Sequence, residues 1–287
     1  MAKRILVVGR KTFDSGKTTF AGVLARELVE HGVRVEYFKP ISAHNYSERY
    51  NHTKECVREE RLYSFDLATI SKILGSSVDK YLANPVHRLY VPAKPSLSED
   101  SKALERQFGT LGLGGLDAVI AMERLSHPES NGISSITLIS KKLIDENLLL
   151  ITKNEVDALS KDTEIQFMET LEELQDIEAQ KIEEYLTSSL TGIEKRSELV
   201  LIESFNDSVW PWVGLESVDA AIAVSPGIAL LYEPSRFRKA AFLGKRSQLP
   251  IREVDFARIA ELVKPLKKIE WERIEKTGLM EELGIDF

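Results

Sequence analysis

Four apolar residues, Ile5-Leu6-Val7-Val8, run into the stretch Gly9-Arg10-Lys11-Thr12-Phe13-Asp14-Ser15-Gly16-Lys17-Thr18-Thr19, which leads directly into Phe20-Ala21-Gly22-Val23-Leu24-Ala25-Arg26-Glu27-Leu28. The first run reads as a buried strand, the last as an amphipathic helix, and the polar stretch as the loop that joins them. A Gly-Lys-Thr sequence at the loop's end turns backbone N–H groups and a helix N-terminus toward one point, where the peptide dipoles favour an anion such as a phosphate chain. Lys17 would then reach the outer phosphates and the Thr18 hydroxyl would take a place on magnesium. The usual spacing puts a glycine at position 11, which is Lys11 here, and Gly9 stands two residues early. Strand-before and helix-after placement, more than spelling, identifies the loop.

After the helix, Gly32 serves as a C-terminal cap and Val33-Arg34-Val35-Glu36-Tyr37-Phe38 alternates with the period of a strand. Strand, helix and strand make a right-handed crossover, which brings Lys39-Pro40 to the same sheet edge as the loop. Further along, 41–64 reads as a polar loop or partly helical excursion, Asp66 to Gly75 as a helix, Asn84 to Pro95 as extended and turn-rich, and Gly109 to Gly115 as a flexible glycine loop. Asp117 to Met122, Asn147 to Ile151, Leu199 to Ile202 and Ala220 to Val224 read as buried strands; Asp255 to Val263 reads as a helix stopped by Pro265. Acidic and apolar residues interleave over 160–195 as an amphipathic helix or helix pair. The expected fold class is α/β, a mostly parallel sheet with helices on both faces in a phosphate-loop architecture. With no repeat and no linker composition, a single domain over 1–287 is expected.

A carboxylate at the end of a neighbouring strand is needed to hold magnesium. Glu203 follows Leu199-Val200-Leu201-Ile202, and Glu123 follows Val119-Ile120-Ala121-Met122; the polar Ser204-Phe205-Asn206-Asp207 after Glu203 favours the former. Acidic residues outnumber basic ones, 45 to 38, for a net charge of −7, which disfavours a broad nucleic-acid surface. No apolar run approaches the roughly 20 residues of a membrane span, so a membrane partner is not expected. One cysteine, Cys56, permits no internal disulfide and reads as a small residue in a cytoplasmic protein. His31, His44, His52, His87 and His127 show no metal-ligand spacing, though His44 lies close enough behind Lys39 to reach a substrate. Trp210 and Trp212 are expected to pack.

These residues resemble dethiobiotin synthetase and related deviant-loop NTPases, a class that includes partition ATPases and cobyrinate amide synthases. The resemblance lies in Asp14, two residues before Gly16-Lys17-Thr18; in Tyr37-Phe38-Lys39-Pro40-Ile41, one residue longer than the family's Tyr-Lys-Pro-Val; in Ser64-Phe65-Asp66-Leu67-Ala68; and in Leu201-Ile202-Glu203-Ser204, which keeps the family's Glu without its glycines. It implies ATP and Mg2+ as cofactors and a nucleotide cradle of Asp14, Ser15, Gly16, Lys17, Thr18 and Thr19. It also implies magnesium held by Thr18, Asp66 and Glu203, with Lys17 and Lys39 as catalytic cations. Residues 76–198 have no counterpart in it.

Guanine-specific relatives carry Asn-Lys-x-Asp; the near match at Thr152-Lys153-Asn154-Glu155 ends in Glu and precedes the Glu203 strand, so ATP is favoured by elimination. Phosphoryl transfer to a small carboxylate or carbamate is the first expectation. A regulatory ATPase or GTPase acting on a protein partner is the second, weakened because partition-type members place a lysine where Thr12 stands. A nucleotide-binding scaffold with little turnover is the third. The expected partners are a nucleotide and a small-molecule acceptor, with a homodimer left open.

Overall fold

The protein is described by a computed structural model over residues 2–12, 14–94, 118–246, 249–271 and 278–285. Phe13, Pro95, the glycines from Gly109 to Gly115, and Asp117 lie outside the described residues. The strands are β1 (Lys3–Gly9), β2 (Val35–Phe38), β3 (Ile41–Asn45), β4 (Val86–Pro92), β5 (Ala118–Glu129), β6 (Gly132–Ser140), β7 (Glu164–Met168), β8 (Leu199–Glu203), β9 (Ala220–Ser225), β10 (Ile228–Tyr232) and β11 (Lys267–Ile269). Among the helices are α1 (Lys17–Glu30), α2 (Tyr50–Glu59), α3 (Phe65–Leu74), α4 (Lys80–Ala83), α5 (Lys141–Asp145), α6 (Lys153–Leu159), α7 (Leu171–Glu194), α8 (Pro234–Gly244), α9 (Phe256–Ile259) and α10 (Leu279–Leu283).

The chain divides into two compact units, one of Met1–Ile41, Asp66–Ala83 and Leu186–Phe287, the other of Ser42–Phe65 and Asn84–Tyr185. It passes between them inside β3, α3 and α7 and just after α4, so no Pro- or Gly-rich linker composition marks the crossings.

The first unit holds a sheet in the order β11-β10-β9-β1-β8-β2. Its β9, β1, β8 and β2 are parallel, with Val7 opposite Glu203 on one side and Ile222 on the other. Leu6, Val7 and Val8 are fully buried, as expected of a central parallel strand covered on both faces. The return β9–β10 turns tightly at Gly227, whose φ of 72° a residue with a Cβ adopts only at a cost, and β10 is therefore antiparallel. Helix α1 packs on β1, β2, β8 and β9 through Phe20, Leu24 and Leu28. Its Glu27 is buried and accepts the backbone N–H groups of Gly278, Leu279 and Met280 at 2.7–3.3 Å, tying α10 to α1 through a carboxylate placed at a helix start.

The second unit holds a sheet in the order β3-β4-β5-β6-β7, antiparallel at β4–β5 and β5–β6 and parallel at β6–β7. A two-residue connection, Ser130-Asn131, joins β5 to β6 with Glu129 opposite Gly132; so short a loop permits only antiparallel pairing, because a parallel return needs a crossover.

Both sheets are mixed, and the mostly parallel arrangement expected from the sequence holds for four strands of the first sheet. Three local readings also change, and the helix expected from Asp255 to Val263 closes after one turn, as α9 (Phe256–Ile259). The loop or partly helical excursion expected over 41–64 does carry a helix, α2, but its first residues form the strand β3. Asn147 to Ile151 is not a strand: its Leu149 makes one isolated bridge to Ala93. The acidic segment is helical only from Leu171, since Glu164–Met168 pairs as β7 with β6, and its period-two apolar residues Ile165 and Phe167 satisfy a strand as well as they do a helix.

Candidate functional site

The carboxyl ends of β1, β8 and β2 lie at one edge of the first sheet, and the chain leaves β1 toward β2 on one side while β9 lies on the other. Open α/β sheets hold their ligands beyond the strand ends at such a change of direction.

Gly9 closes β1, and a Cβ there would meet Ser15 Oγ at 2.7 Å, the Asn206 carbonyl at 2.8 Å and the Lys11 carbonyl at 2.9 Å. The glycine that sequence spacing places too early is thus the one the loop folds against. Gly16 caps α1 with φ 80° and ψ 11°, a left-handed conformation suited to glycine, and no side chain caps the helix start. Asp14 is exposed and also left-handed, at φ 50°, and Thr19 is exposed; neither joins the polar cluster described next.

Lys17 is buried and donates to the Asn206 carbonyl at 2.6 Å and to Ser15 Oγ at 3.3 Å. Burial first, and the neighbouring Lys39 charge second, lower its pKa to about 8 against the opposing pull of Glu203, Asp66 and Asp207. Two cations held near each other at a helix start form a site that a polyanion would stabilise.

Glu203, the last residue of β8, collects the rest. Its Oε1 accepts from Lys39 Nζ at 2.6 Å and from Thr18 Oγ1 at 3.1 Å; its Oε2 accepts from Tyr37 Oη at 2.8 Å. Lys39 also donates to the Ser204 carbonyl at 3.3 Å and pairs with Asp66 Oδ2 at 3.0 Å. Burial of Lys39 works against its charge, but Glu203 and Asp66 together hold its pKa above the ordinary lysine range. Burial of Asp66 likewise opposes ionisation, and the Lys39 ammonium outweighs it, holding the carboxyl below the ordinary carboxylate range. Tyr37 is held far above the usual phenol range, first by burial and then by the Glu203 charge, so it stays a hydrogen-bond donor.

The fold therefore brings together Ser15, Gly16, Lys17, Thr18, Lys39, Asp66 and Glu203, and leaves Asp14 and Thr19 at the surface. Five contributors were given no site role from the sequence: Gly9, Tyr37, Ser204 and Asn206 through their carbonyls, and Trp271. Tyr37 lies two residues before Lys39, on the same face of an extended chain, and that period was available to find it. Trp271 approaches within 3.6 Å of the position a Gly16 Cβ would take and packs edge-on to Phe20 at 5.6 Å.

Glu123, the rival acid, sits within β5 opposite Leu138, fully buried in the second unit and bonded to Arg88, which also bonds Glu178. It belongs to an internal ion cluster of that unit, away from any strand end. His44 is buried in the second unit, with Nδ1 2.7 Å from His87 Nε2 and Nε2 3.1 Å from Thr53 Oγ1, while His87 Nδ1 meets Ser42 Oγ at 2.5 Å. Its imidazole is committed to this chain of side chains. Trp210 and Trp212 are core residues, donating to the Leu215 carbonyl and to Thr187 Oγ1, both at 3.0 Å.

Asp66 and Glu203 each direct a carboxylate oxygen at one cation, the Lys39 ammonium, and the Thr18 hydroxyl donates to Glu203 beside it; carboxylate and hydroxyl oxygens are the donors a hard divalent ion takes. Among the described residues, no group of three or more His, Cys, Asp or Glu side chains could hold a metal ion. No helix among them is long and apolar enough to cross a membrane. No protein-family model, no curated protein and no solved structure matches this chain.

Proposed function

We propose that the first unit binds ATP with Mg2+ at the β1–α1 loop and transfers a phosphoryl group to a small carboxylate or carbamate. The observation that carries this reading is Glu203 accepting from both Thr18 and Lys39, which joins the helix start, the strand-end acid and a second lysine at one point.

In this reading the loop N–H groups and Lys17 hold the phosphate chain, and Lys17 leaves the Asn206 carbonyl for a phosphate oxygen. Thr18, Asp66 and Glu203 hold the magnesium ion, which offsets charge on the outer phosphates when bound. Lys39 stabilises negative charge on the group in transfer, and Tyr37 keeps Glu203 oriented through its Oε2. Phosphoryl transfer depends mostly on such positioning and charge stabilisation.

The switch reading draws less support. Thr12 donates to Asp207 at 3.0 Å at the position where partition-type relatives carry a lysine. The deciding experiment is phosphate release from Mg-ATP, measured alone, with a panel of small diamines and carboxylates with bicarbonate, and with a clarified cell extract retained above a size cut-off. Stimulation by a small molecule supports the transferase reading, and stimulation by the macromolecular fraction alone replaces it with the switch.

A further inference from the structure

Lys39 is the cation that lies between the carboxylates of Asp66 and Glu203. Its ammonium lies 2.6 Å from Glu203 Oε1 and 3.0 Å from Asp66 Oδ2, and Glu203 Oε1 also accepts from Thr18 Oγ1 at 3.1 Å. These oxygens are the ones assigned to magnesium above. Two carboxylates with Lys39 removed would face each other in a largely buried setting, which is costly unless another cation enters. Lys39 itself is only 3% exposed and has the Ser204 carbonyl as its further acceptor.

We infer that Lys39 is a tethered counter-ion that exchanges with Mg2+: the ammonium and the metal compete for the oxygens of Asp66 and Glu203, so metal entry and the outward swing of Lys39 are one event. The identity of the metal rests on the nucleotide reading; the competition rests on the contacts. Its consequence is that the protein alone binds Mg2+ weakly, and that a phosphate chain, by giving the displaced ammonium a new partner, makes metal and nucleotide bind together. Lys39 would thus be delivered to the phosphates only when the metal is in place, which couples charge stabilisation to correct loading. Lys17, docked on Asn206 instead of on either carboxylate, does not take part in the exchange.

The test is Mn2+ binding without nucleotide, followed by electron paramagnetic resonance, with Mg2+ as competitor, on the full chain and three variants. Removing the competitor in Lys39→Met is expected to raise Mn2+ affinity at least about ten-fold, the ratio set by roughly 1.4 kcal/mol of lost competition. Lys39→Arg, which keeps a cation on the oxygens, is expected to stay near the wild-type affinity. Lys39→Met combined with Glu203→Gln removes the opposing charges together, guards against a variant that fails to fold, and is expected to lose Mn2+ binding while remaining folded by circular dichroism. Equal Mn2+ affinity in wild type and Lys39→Met would overturn the exchange even if Mg-ATP binds. If the ten-fold rise occurs and ATP does not bind, the exchange stands and the nucleotide reading fails.

Discussion

The hydroxyl of Thr18, in the first turn of α1, donates at 3.1 Å to Glu203 at the end of β8, joining residues 185 positions apart. Parallel pairing of β1 with β8, Val7 opposite Glu203, sets that distance, and the Gly9 turn then carries the chain back over the strand end to begin α1.

Glu203→Gln keeps the shape of the side chain and removes its charge, leaving the Lys39 ammonium buried with Asp66 as its remaining carboxylate. Breaking one partner out of a buried ionic cluster costs about 3–5 kcal/mol, somewhat less here because Asp66 remains. Urea unfolding is expected to show a loss of about 2–4 kcal/mol at unchanged m-value. Wild-type stability in this variant would mean that the Lys39–Glu203 pair is not formed in solution.

Gly9→Ala places a methyl group against Ser15 Oγ and two backbone carbonyls, all within 3.0 Å. Backbone cannot yield as a flexible side chain does, so a destabilisation of about 1–3 kcal/mol is expected, together with loss of phosphate-ligand binding from the displaced loop. The same substitution at Gly32, where the space is open but φ is 78°, is expected to cost about 1–2 kcal/mol and to leave the ligand affinity alone. Thermal melts with and without ligand separate the two.

His44 contributes an acid dependence to the stability of the second unit. Its pKa is lowered to about 3, mainly by burial, with the charges of His52 and Arg49 adding to it. Between about 6.5 and 3 the unfolded chain binds a proton there that the folded chain does not, so stability is full above about 6.5 and falls as pH drops through that window, by up to about 1.4 kcal/mol per pH unit from this group. His44→Gln is expected to flatten the slope of unfolding free energy against pH between 6.5 and 4. An unchanged slope would place the acid sensitivity elsewhere.

How much was legible in the sequence differs between the units for physical reasons. In the first, β1, α1, β2, β8 and β9 announce themselves because a parallel strand buried on both faces is a short apolar run, and Gly16-Lys17-Thr18 marks where the helix begins. The site followed: Lys17, Thr18, Lys39, Asp66 and Glu203 do meet, because parallel strands deliver their carboxyl ends to one edge. Asp14 and Thr19 were named by a motif alone, and nothing in the spacing says which side chains of a loop turn inward. In the second unit the β5–β6 hairpin was not read from the sequence, because its two-residue loop, Ser130-Asn131, is not the Asn-Gly or Asp-Gly pair that marks such a turn most plainly. Glu123 stood as the rival to Glu203 because an apolar run followed by an acid looks alike whether the acid ends a parallel strand or lies inside an antiparallel one paired with Arg88. His44, His52 and His87 are brought together by packing across β3, α2 and β4, with ring centroids 4.9–5.1 Å apart, and local spacing holds no trace of that.

The central claim is that Gly16, Lys17 and Thr18 cradle a triphosphate, and isothermal titration of the wild-type chain and of Lys17→Ala with Mg-ATP and Mg-GTP tests it most directly. Among the described residues Lys17 donates to the Asn206 carbonyl beyond β8 and to the Ser15 hydroxyl, both groups that water can satisfy, so its removal is expected to leave the melting temperature within a few degrees. The expected result is saturable Mg-ATP binding to the wild type that weakens at least about a hundred-fold in Lys17→Ala, equivalent to about 2.7 kcal/mol. Equal binding by the two proteins, or no nucleotide binding by a folded wild type, would contradict the account.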